Sequence, residues 1–146
     1  MHLLINEFAQ TIAENYTKLA LISNADATAP RAVGKWSPKE IIGHLIDSAA
    51  NNHQRFVRAQ LYDNYDSLGY EQERWVAVQA YQDAAWLELL TLWKVYNEHL
   101  VRIIALIPDD KLSRTFRIAG GEPVTLDYWV EDYLRHMQNH LRQILD

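Results

Sequence analysis

The sequence predicts an all-α protein, a four-helix bundle that forms one domain over residues 1–146. Four long segments repeat apolar side chains every three or four positions, which is the spacing of amphipathic helices. Turn-forming stretches separate them, and no internal repeat, low-complexity segment or domain linker interrupts the pattern. With 146 residues, 49% of them hydrophobic, the chain is long enough to bury a core between four helices.

The first predicted helix covers about residues 3–24. Its apolar residues recur at helical spacing: Leu4, Ile5, Phe8, Ile12, Tyr16, Leu19, Ala20 and Ile22. The stretch that follows, up to Lys35, is rich in residues that favour turns and includes Pro30 and Gly34. We therefore expect this stretch to be a connector.

The second helix has a strong start signal. Ser37 can cap the helix, Pro38 suits its first position, and Glu40 can complete a capping box with Ser37. We expect this helix to run to about Leu61. His44 falls on the flank of its apolar side, where a histidine can be either a ligand that faces a groove or an ordinary surface residue, and spacing alone favours the surface residue.

The third long helix begins near Asp83 and ends at Pro108, which cannot continue a helix. Its apolar residues again recur at three and four positions. Ahead of it, we expect residues 62–69 to form a loop. We expect residues 70–81 to form a short helix or turn across one end of the bundle.

Residues 108–124 form the longest irregular part of the chain. Residues 114–118 alternate weakly between polar and apolar side chains, and the glycine pair at 120–121 favours a tight turn. We expect a short extended pair or a lid-like loop here. Arg114 and Arg117 could bind an anionic substrate, but we interpret them as solvated residues of this loop.

The fourth helix begins with Thr125 as its predicted cap and covers the rest of the chain. His136 and His140 lie four residues apart on it, so their side chains project from the same side, one turn apart. Such a pair can place two imidazoles on one metal ion. The alternative is a solvated or hydrogen-bonded pair, and the spacing of the pair does not decide between the two.

Composition excludes several kinds of protein and site. The chain contains no cysteine, which excludes disulfides, thiolate metal sites and a cysteine nucleophile. A net charge of −5 and scattered Lys and Arg residues argue against nucleic-acid binding. No signal peptide is visible, and no apolar run approaches the roughly 18 residues of a membrane span. We therefore expect a cytoplasmic protein that binds neither membrane nor nucleic acid.

The signatures of two common helical metal sites are absent. A zincin has Glu directly after the first His of its pair, where this chain has Met137. A di-iron bundle needs two Glu-x-x-His motifs, and the chain contains none. What remains is the helical pair with one histidine from another helix. Three neutral nitrogen ligands would leave positions open for water and substrate, as is typical of catalytic rather than structural sites.

Two motifs, taken together, resemble the DinB-like (DinB/YfiT) family. They are Trp36-Ser-Pro-Lys-Glu followed by Ile-Ile-Gly-His44-Leu-Ile-Asp47, and His136-x-x-x-His140-x-x-Gln143-Ile144. The likeness extends through the whole chain. It implies a bundle with up-down-down-up connections and a divalent metal, zinc or nickel, held by His44, His136 and His140. Members of this family include metal-dependent hydrolases and thiol-dependent transferases and isomerases. A small-molecule substrate and a low-molecular-weight thiol cosubstrate are therefore implied as well.

Two carboxylates near the implied ligands are candidate catalytic residues. Glu40 and Asp132 each precede an implied ligand by four residues, so either could orient an imidazole. Their ordinary roles would be capping-box partner for Glu40 and solvated surface charge for Asp132. The chain departs from the family at Arg142, where glycine is frequent. This long cation near the site weakens the transfer of any particular substrate.

Two classes of function stay open. The first is an enzyme in which the metal activates water or a thiol, giving a hydrolase or a thiol S-transferase. The second is a non-catalytic, metal-stabilised helical protein that acts as a dimeric interaction module. We expect a homodimer, although the Trp and Tyr residues that could cover a subunit interface could equally fill a monomer core.

Overall fold

The computed structural model describes residues 1–146 as four long helices joined by short helices and a small sheet. In chain order the elements are α1 (His2–Leu19), α2 (Asn24–Thr28), α3 (Pro38–Leu61), β1 (Asp66–Ser67), α4 (Gln72–Gln79), a 3₁₀ turn (Tyr81–Asp83), α5 (Trp86–Ala105), α6 (Asp109–Leu112), β2 (Thr115–Ile118), β3 (Val124–Thr125) and α7 (Leu126–Leu145). The long helices α1, α3, α5 and α7 form the predicted four-helix bundle. No helix has both the length and the apolar composition needed to cross a membrane.

The long helices are connected up-down-down-up, as the family resemblance implied. Helices α1 and α7 run parallel, and α3 and α5 run together in the opposite direction. The hydrogen bonds that fix these directions join Trp86 to the carbonyl of Leu19, Lys39 to the carbonyl of Gln82, His53 to Tyr96, Gln138 to Glu7, and Trp129 to Asn52. Because α3 and α5 are parallel, the chain must return along the bundle between them, and the segment containing α4 makes this crossover.

The start of α3 follows the prediction in detail. The amide of Glu40 donates to Oγ of Ser37 at 3.2 Å, and the amide of Ser37 donates to the Glu40 carboxylate at 2.8 Å. This is a complete capping box, and the helix ends at Leu61 as expected. The predicted position of the cap of α7, Thr125, is confirmed, but the capping hydrogen bond is absent. The backbone of Thr125 is paired with Thr115 in the sheet.

The first long helix is shorter than predicted and ends at Leu19. After it the backbone tightens, because the amide of Leu21 bonds the carbonyl of Lys18, three residues back. Ser23 then caps α2 by accepting a hydrogen bond from the amide of Asp26 at 3.0 Å. The predicted connector therefore contains a short helix of its own.

The crossover also contains regular structure. Helix α4 lies within residues 70–81, as expected, and ends at Gln79. The next residue, Ala80, has a φ of 48°, in the left-handed region. Helix α5 begins at Trp86 rather than Asp83, because the residues before it form the 3₁₀ turn. It ends ahead of Pro108, in agreement with the sequence analysis.

A small three-stranded sheet has the order β1–β2–β3. Strands β2 and β3 pair antiparallel, with Phe116 opposite Val124, which confirms the predicted extended pair. Strand β1 pairs parallel with β2, with Asp66 opposite Arg117. It lies in residues 62–69, which were predicted to be a loop, because two residues are too few for an alternating pattern to show.

Buried apolar side chains from all four long helices form one core. The largest fully buried ones include Trp86, Trp93, Phe8, Phe56 and Phe116. One close approach constrains the sequence, since a Cβ atom at Gly43 would lie 2.1 Å from Cδ2 of Tyr81. The missing side chain lets the Tyr81 ring lie directly on α3, one residue away from His44.

Candidate metal centre

Three histidines from two helices come together between α3 and α7. His136 and His140 are one turn apart on α7, and the antiparallel packing of α3 places His44 opposite them. The Nε2 atoms of His44 and His136 are 3.2 Å apart. One ring nitrogen from each of the three residues lies within 4.8 Å of the others. The structure therefore brings together the three side chains that the resemblance singled out.

Trp36 packs against this histidine cluster. Its ring centroid lies 5.1 Å from that of His44 and 6.4 Å from that of His140. Trp36 directly precedes the capping box of α3, so the cap that starts the helix also fixes the position of the indole. His44 is fully buried, whereas His136 and His140 are half-buried. The cluster is thus closed on the α3 side and accessible on the α7 side.

All three imidazoles are held in the neutral form at neutral pH. Burial and the charges of the other two histidines lower the pKa of His44 to about 3. Burial and the charge of His140 lower the pKa of His136 to about 4. Burial also lowers the pKa of His140, against the effect of its hydrogen bond to Gln143. Because a metal binds the unprotonated imidazole, each residue offers a free nitrogen lone pair.

Gln143 orients one member of the cluster. Nδ1 of His140 lies 3.0 Å from Oε1 of Gln143, one turn further along α7. Since a side-chain carbonyl oxygen only accepts hydrogen bonds, Nδ1 carries the proton and Nε2 is left free. Such hydrogen bonds from a ligating histidine fix its ring and tautomer. His44 has no such partner, because its buried Nδ1 makes no hydrogen bond.

The spacing of the nitrogens suits a tetrahedral metal ion. With Zn–N distances of about 2.0–2.1 Å, two nitrogens on one tetrahedral zinc lie about 3.3–3.4 Å apart. The 3.2 Å separation between His44 and His136 is close to that value. One ring nitrogen of each of the three residues lies within 4.8 Å of the others, so His140 is close enough to be the third ligand. The donors, three neutral nitrogens without a thiolate, fit a divalent transition metal.

The two candidate carboxylates occupy different surroundings. Glu40 is held by the amide of Ser37 in the capping box, which is its ordinary role. Asp132 accepts a hydrogen bond from Arg135 and borders a cavity together with His136. Its charge raises the pKa of His136, against the larger effect of burial. Of the two, Asp132 is therefore the one that acts electrostatically on the cluster.

The remaining candidate residues lie outside the cluster. Arg114 bonds the carbonyl of Gln60 and the carboxylate of Asp63, and Arg117 bonds the carbonyl of Gly121. Arg114 is half-buried and ties its loop to the end of α3, so it is not the solvated loop residue that the sequence suggested. The exposed Arg117 serves its own strand and turn, as expected. Neither is among the residues that border the cavities beside the histidines.

Two cavities flank the histidine cluster. One, of about 520 Å³, is bordered by His140, Trp36 and Gln143, with Arg31 and Lys35 at its edge. The other, of about 330 Å³, is bordered by His136 but not by His140. Both volumes are within the range of small-molecule sites. A metal in the cluster would be reachable from either cavity.

The polar side of α3 is buried, which was not predicted from the sequence. The buried polar residues of this side are Asp47, Ser48, Asn52 and Arg55. Oδ1 of Asp47 accepts hydrogen bonds from Tyr81 at 2.6 Å and Gln79 at 2.8 Å, while burial raises the pKa of the Asp47 carboxyl. For Asp47 and Ser48 a signal was available, because they follow His44 at helical spacing on a helix long enough to lie inside a bundle. For Arg55 there was none, because its burial depends on contacts with Ser67 and Leu68 of the crossover.

Comparison with protein families and curated proteins gives a consistent result. The family model of the DinB superfamily matches residues 7–144. A protein of Bacillus mycoides strain KBAB4, provisionally named a metal-dependent hydrolase, is 23% identical over 139 residues, which is 95% of this chain and 76% of that protein. A protein of Halalkalibacterium halodurans with the same provisional name is 24% identical over 109 residues, 75% of this chain and 63% of that protein.

Solved structures share the fold. YfiT from Bacillus subtilis, provisionally described as a metal-dependent hydrolase with an unusual four-helix bundle topology, matches with a TM-score of 0.84 and 20% identity over 97% of this chain and 83% of that one. A mycothiol-dependent maleylpyruvate isomerase matches with a TM-score of 0.78 and 15% identity. The match covers 98% of this chain and 60% of the isomerase. At these identities the likeness concerns the fold.

Proposed function

This chain belongs to the DinB superfamily, and from that membership and the histidine cluster we propose that it is a metal-dependent enzyme acting on a small molecule. The metal would be a divalent ion, zinc or nickel, held by His44, His136 and His140. The reaction would be hydrolysis by an activated water or S-transfer by an activated thiol. The observation that carries this proposal is the convergence of three imidazole nitrogens, within 4.8 Å of one another, beside two open cavities.

A divalent metal with three nitrogen ligands would lower the pKa of a bound water or thiol, and it would leave a coordination position free for the substrate. The protein supplies the rest. Burial keeps the imidazoles unprotonated, Gln143 holds the ring of His140, and Trp36 packs on His44. We assign Asp132 the role of an electrostatic partner for His136, while Glu40 contributes by starting the helix that carries His44.

Two observations support the two chemistries separately. The curated relatives from Bacillus mycoides and Halalkalibacterium halodurans carry a hydrolase name. The isomerase that shares the fold depends on mycothiol, which supports a low-molecular-weight thiol as cosubstrate. The two cavities fit either chemistry, because one could admit the electrophile and the other a thiol. Activity measurements with and without a thiol distinguish them.

The first test is metal content. The protein is purified without an affinity tag and its metal is measured by elemental analysis, together with His44→Ala and, as a control, His99→Ala. We expect about one divalent ion per chain in the wild type and the control, and a large loss in His44→Ala. A wild type that holds no metal and gains no thermal stability from zinc or nickel removes the basis of the proposal.

The second test is activity of the metal-loaded protein on a chromogenic electrophile. Product formation that requires a low-molecular-weight thiol indicates S-transfer, and product formation in buffer alone indicates hydrolysis. His44→Ala should abolish either activity, whereas His99→Ala should leave it unchanged. Activity that survives in His44→Ala would contradict the assignment of the histidines.

The homodimer and the cytoplasmic location stay predictions. The exposed apolar side chains of α5 support a subunit interface, since Leu87, Leu92 and Val95 are 57%, 51% and 55% exposed on one helix. The same strip supports the alternative function, a non-catalytic dimeric module stabilised by metal. Light scattering coupled to size exclusion should give twice the chain mass for the wild type and the single mass for Leu92→Glu. A wild type that elutes as a monomer contradicts the homodimer.

A further inference from the structure

Arg55 is a buried arginine without an acidic partner. Arg55 lies on α3, and the residue is only 5% exposed. Nε donates to Oγ of Ser67 at 3.1 Å, Nη1 to Oδ1 of Asn52 at 3.3 Å, and Nη2 to the carbonyl of Leu68 at 3.1 Å. All three acceptors are neutral, and Arg55 belongs to none of the ion pairs of the protein.

No carboxylate pairs directly with this positive charge. Burial lowers the pKa of Arg55, and no carboxylate is among the groups that act on this guanidinium. A guanidinium nevertheless stays protonated in proteins. A buried charge is unfavourable unless it is paired, so this position is suited to an anion that arrives from outside.

The geometry around Arg55 is fixed by neighbouring side chains. Asn52 accepts hydrogen bonds from both Arg55 and Trp129, the latter at 2.6 Å, and Cζ of Arg55 lies 5.6 Å from the centre of the Trp129 ring. Since three of the five guanidinium N–H groups are used, one remains on each Nη atom. Two parallel N–H groups on one guanidinium match the two oxygens of a carboxylate.

The cavity of about 330 Å³ that Arg55 borders is also bordered by His136. Asp132 lies on the same cavity, so a ligand with more than one negative charge would be repelled there. Arg55 is a single cation and Asp132 adds one negative charge beside it, so a carboxylate with one charge is repelled less than a doubly charged phosphate.

From these observations we propose that Arg55 binds the carboxylate of the substrate in this cavity, beside His136. The substrate class is thus a small carboxylic acid whose reacting atom lies toward the histidine cluster. The inference rests on the proposed function for the role of that cluster, but the carboxylate site itself requires no metal.

The test uses benzoate and its neutral analogue benzamide as probes of the ¹⁵N-labelled protein. The chain has five tryptophans, and the indole N–H signal of Trp129 is assigned with Trp129→Phe. We expect benzoate to shift the Trp129 signal saturably and benzamide at equal concentration to leave it in place. Arg55→Gln should weaken benzoate binding by at least about tenfold, because a charge-assisted pair is lost. Arg142→Ala, which changes an exposed arginine outside this cavity, should bind benzoate like the wild type.

Several outcomes would overturn the proposal. Equal shifts with benzoate and benzamide would show that charge is not recognised, and wild-type benzoate affinity in Arg55→Gln would remove Arg55 from the site. Inorganic phosphate that shifts the signal when benzoate does not would overturn the carboxylate assignment. If Arg55→Gln fails to fold, Arg55→Lys is used. Lysine keeps the charge but loses the fork, so its benzoate affinity should fall between that of the wild type and no binding.

The titration is run on the metal-free protein and repeated after addition of one equivalent of zinc. A protein that binds benzoate but no zinc contradicts the proposed function and leaves the carboxylate site intact. A protein that binds zinc but does not distinguish benzoate from benzamide contradicts the carboxylate site alone.

Discussion

The Nε2 atoms of His44 and His136 lie 3.2 Å apart although the two residues are separated by 92 positions in the chain. Helix α3 carries one and helix α7 the other, and both rings are neutral at neutral pH. A metal bound to both residues would therefore link two helices of the bundle. Its binding should stabilise the fold as well as complete the site.

Thermal unfolding should reveal this link. Zinc or nickel at a free concentration of about 100 times its Kd should stabilise the wild type by about 2.7 kcal/mol, which appears as a rise in Tm. His136→Ala should lose most of this rise, because two nitrogens bind far more weakly than three. His99→Ala changes an exposed histidine outside the cluster and should respond like the wild type. An equal rise in all three proteins would place the metal elsewhere.

Those parts of the structure that depend on neighbouring residues were predictable from the sequence. The capping box of Ser37 and Glu40 depends on two residues three positions apart. The alignment of His136 with His140 depends only on the period of one helix. Each was predicted and observed. The role of His44 could not be predicted from neighbouring residues, because packing decides which side of α3 meets α7. Its role as a ligand was implied only by the family resemblance.

The parts that depend on distant residues were not predictable. Strand β1 exists because Asp66 pairs with Arg117, and nothing in its two residues signals that partner. Arg55 is buried because the crossover places Ser67 and Leu68 over it, and a helical arginine is ordinarily exposed. Arg55 thus lies where the connection between the parallel helices α3 and α5 folds back on the bundle.

The stability of the metal-free protein should depend on pH through the buried histidines. An unfolded histidine gains its proton near its ordinary pKa of 6.5, whereas the folded pKa is about 3 for His44 and about 4 for His136. Between these values the unfolded state binds more protons. The free energy of unfolding should therefore decrease as the pH is lowered below 6.5, by up to about 1.4 kcal/mol per pH unit for each histidine.

Urea unfolding in the presence of a chelator at pH 7, 6 and 5 measures this effect. His44→Gln should show a shallower loss of stability than the wild type, because one depressed pKa is removed. Leu21→Ala, a change at an exposed residue without a titratable group, should keep the wild-type slope. Identical slopes in the wild type and His44→Gln would show that His44 is not buried in the neutral form.

Gly43→Ala should destabilise the protein by about 1–3 kcal/mol, as overpacking in a core does. The new Cβ would lie 2.1 Å from the Tyr81 ring, so the ring must move and its hydrogen bond to Asp47 must lengthen. Urea unfolding measures the loss. In a Tyr81→Ala background the same substitution should cost much less, because the clashing ring is absent. Equal costs in both backgrounds would show that the ring is not the obstacle.

Gln143→Leu should weaken metal binding by about tenfold to a hundredfold, the usual effect of removing a hydrogen bond that orients a ligating histidine. The carbonyl oxygen of Gln143 accepts from Nδ1 of His140 at 3.0 Å, and leucine keeps the size of the side chain without the acceptor. Titration of zinc against a competing chelator gives the affinity. Arg142→Ala is the matched control, because Arg142 is the adjacent residue on α7 and bonds Asn139 rather than a histidine. If both variants lose affinity equally, the loss reflects the end of the helix, and if neither does, the ring of His140 is held without Gln143.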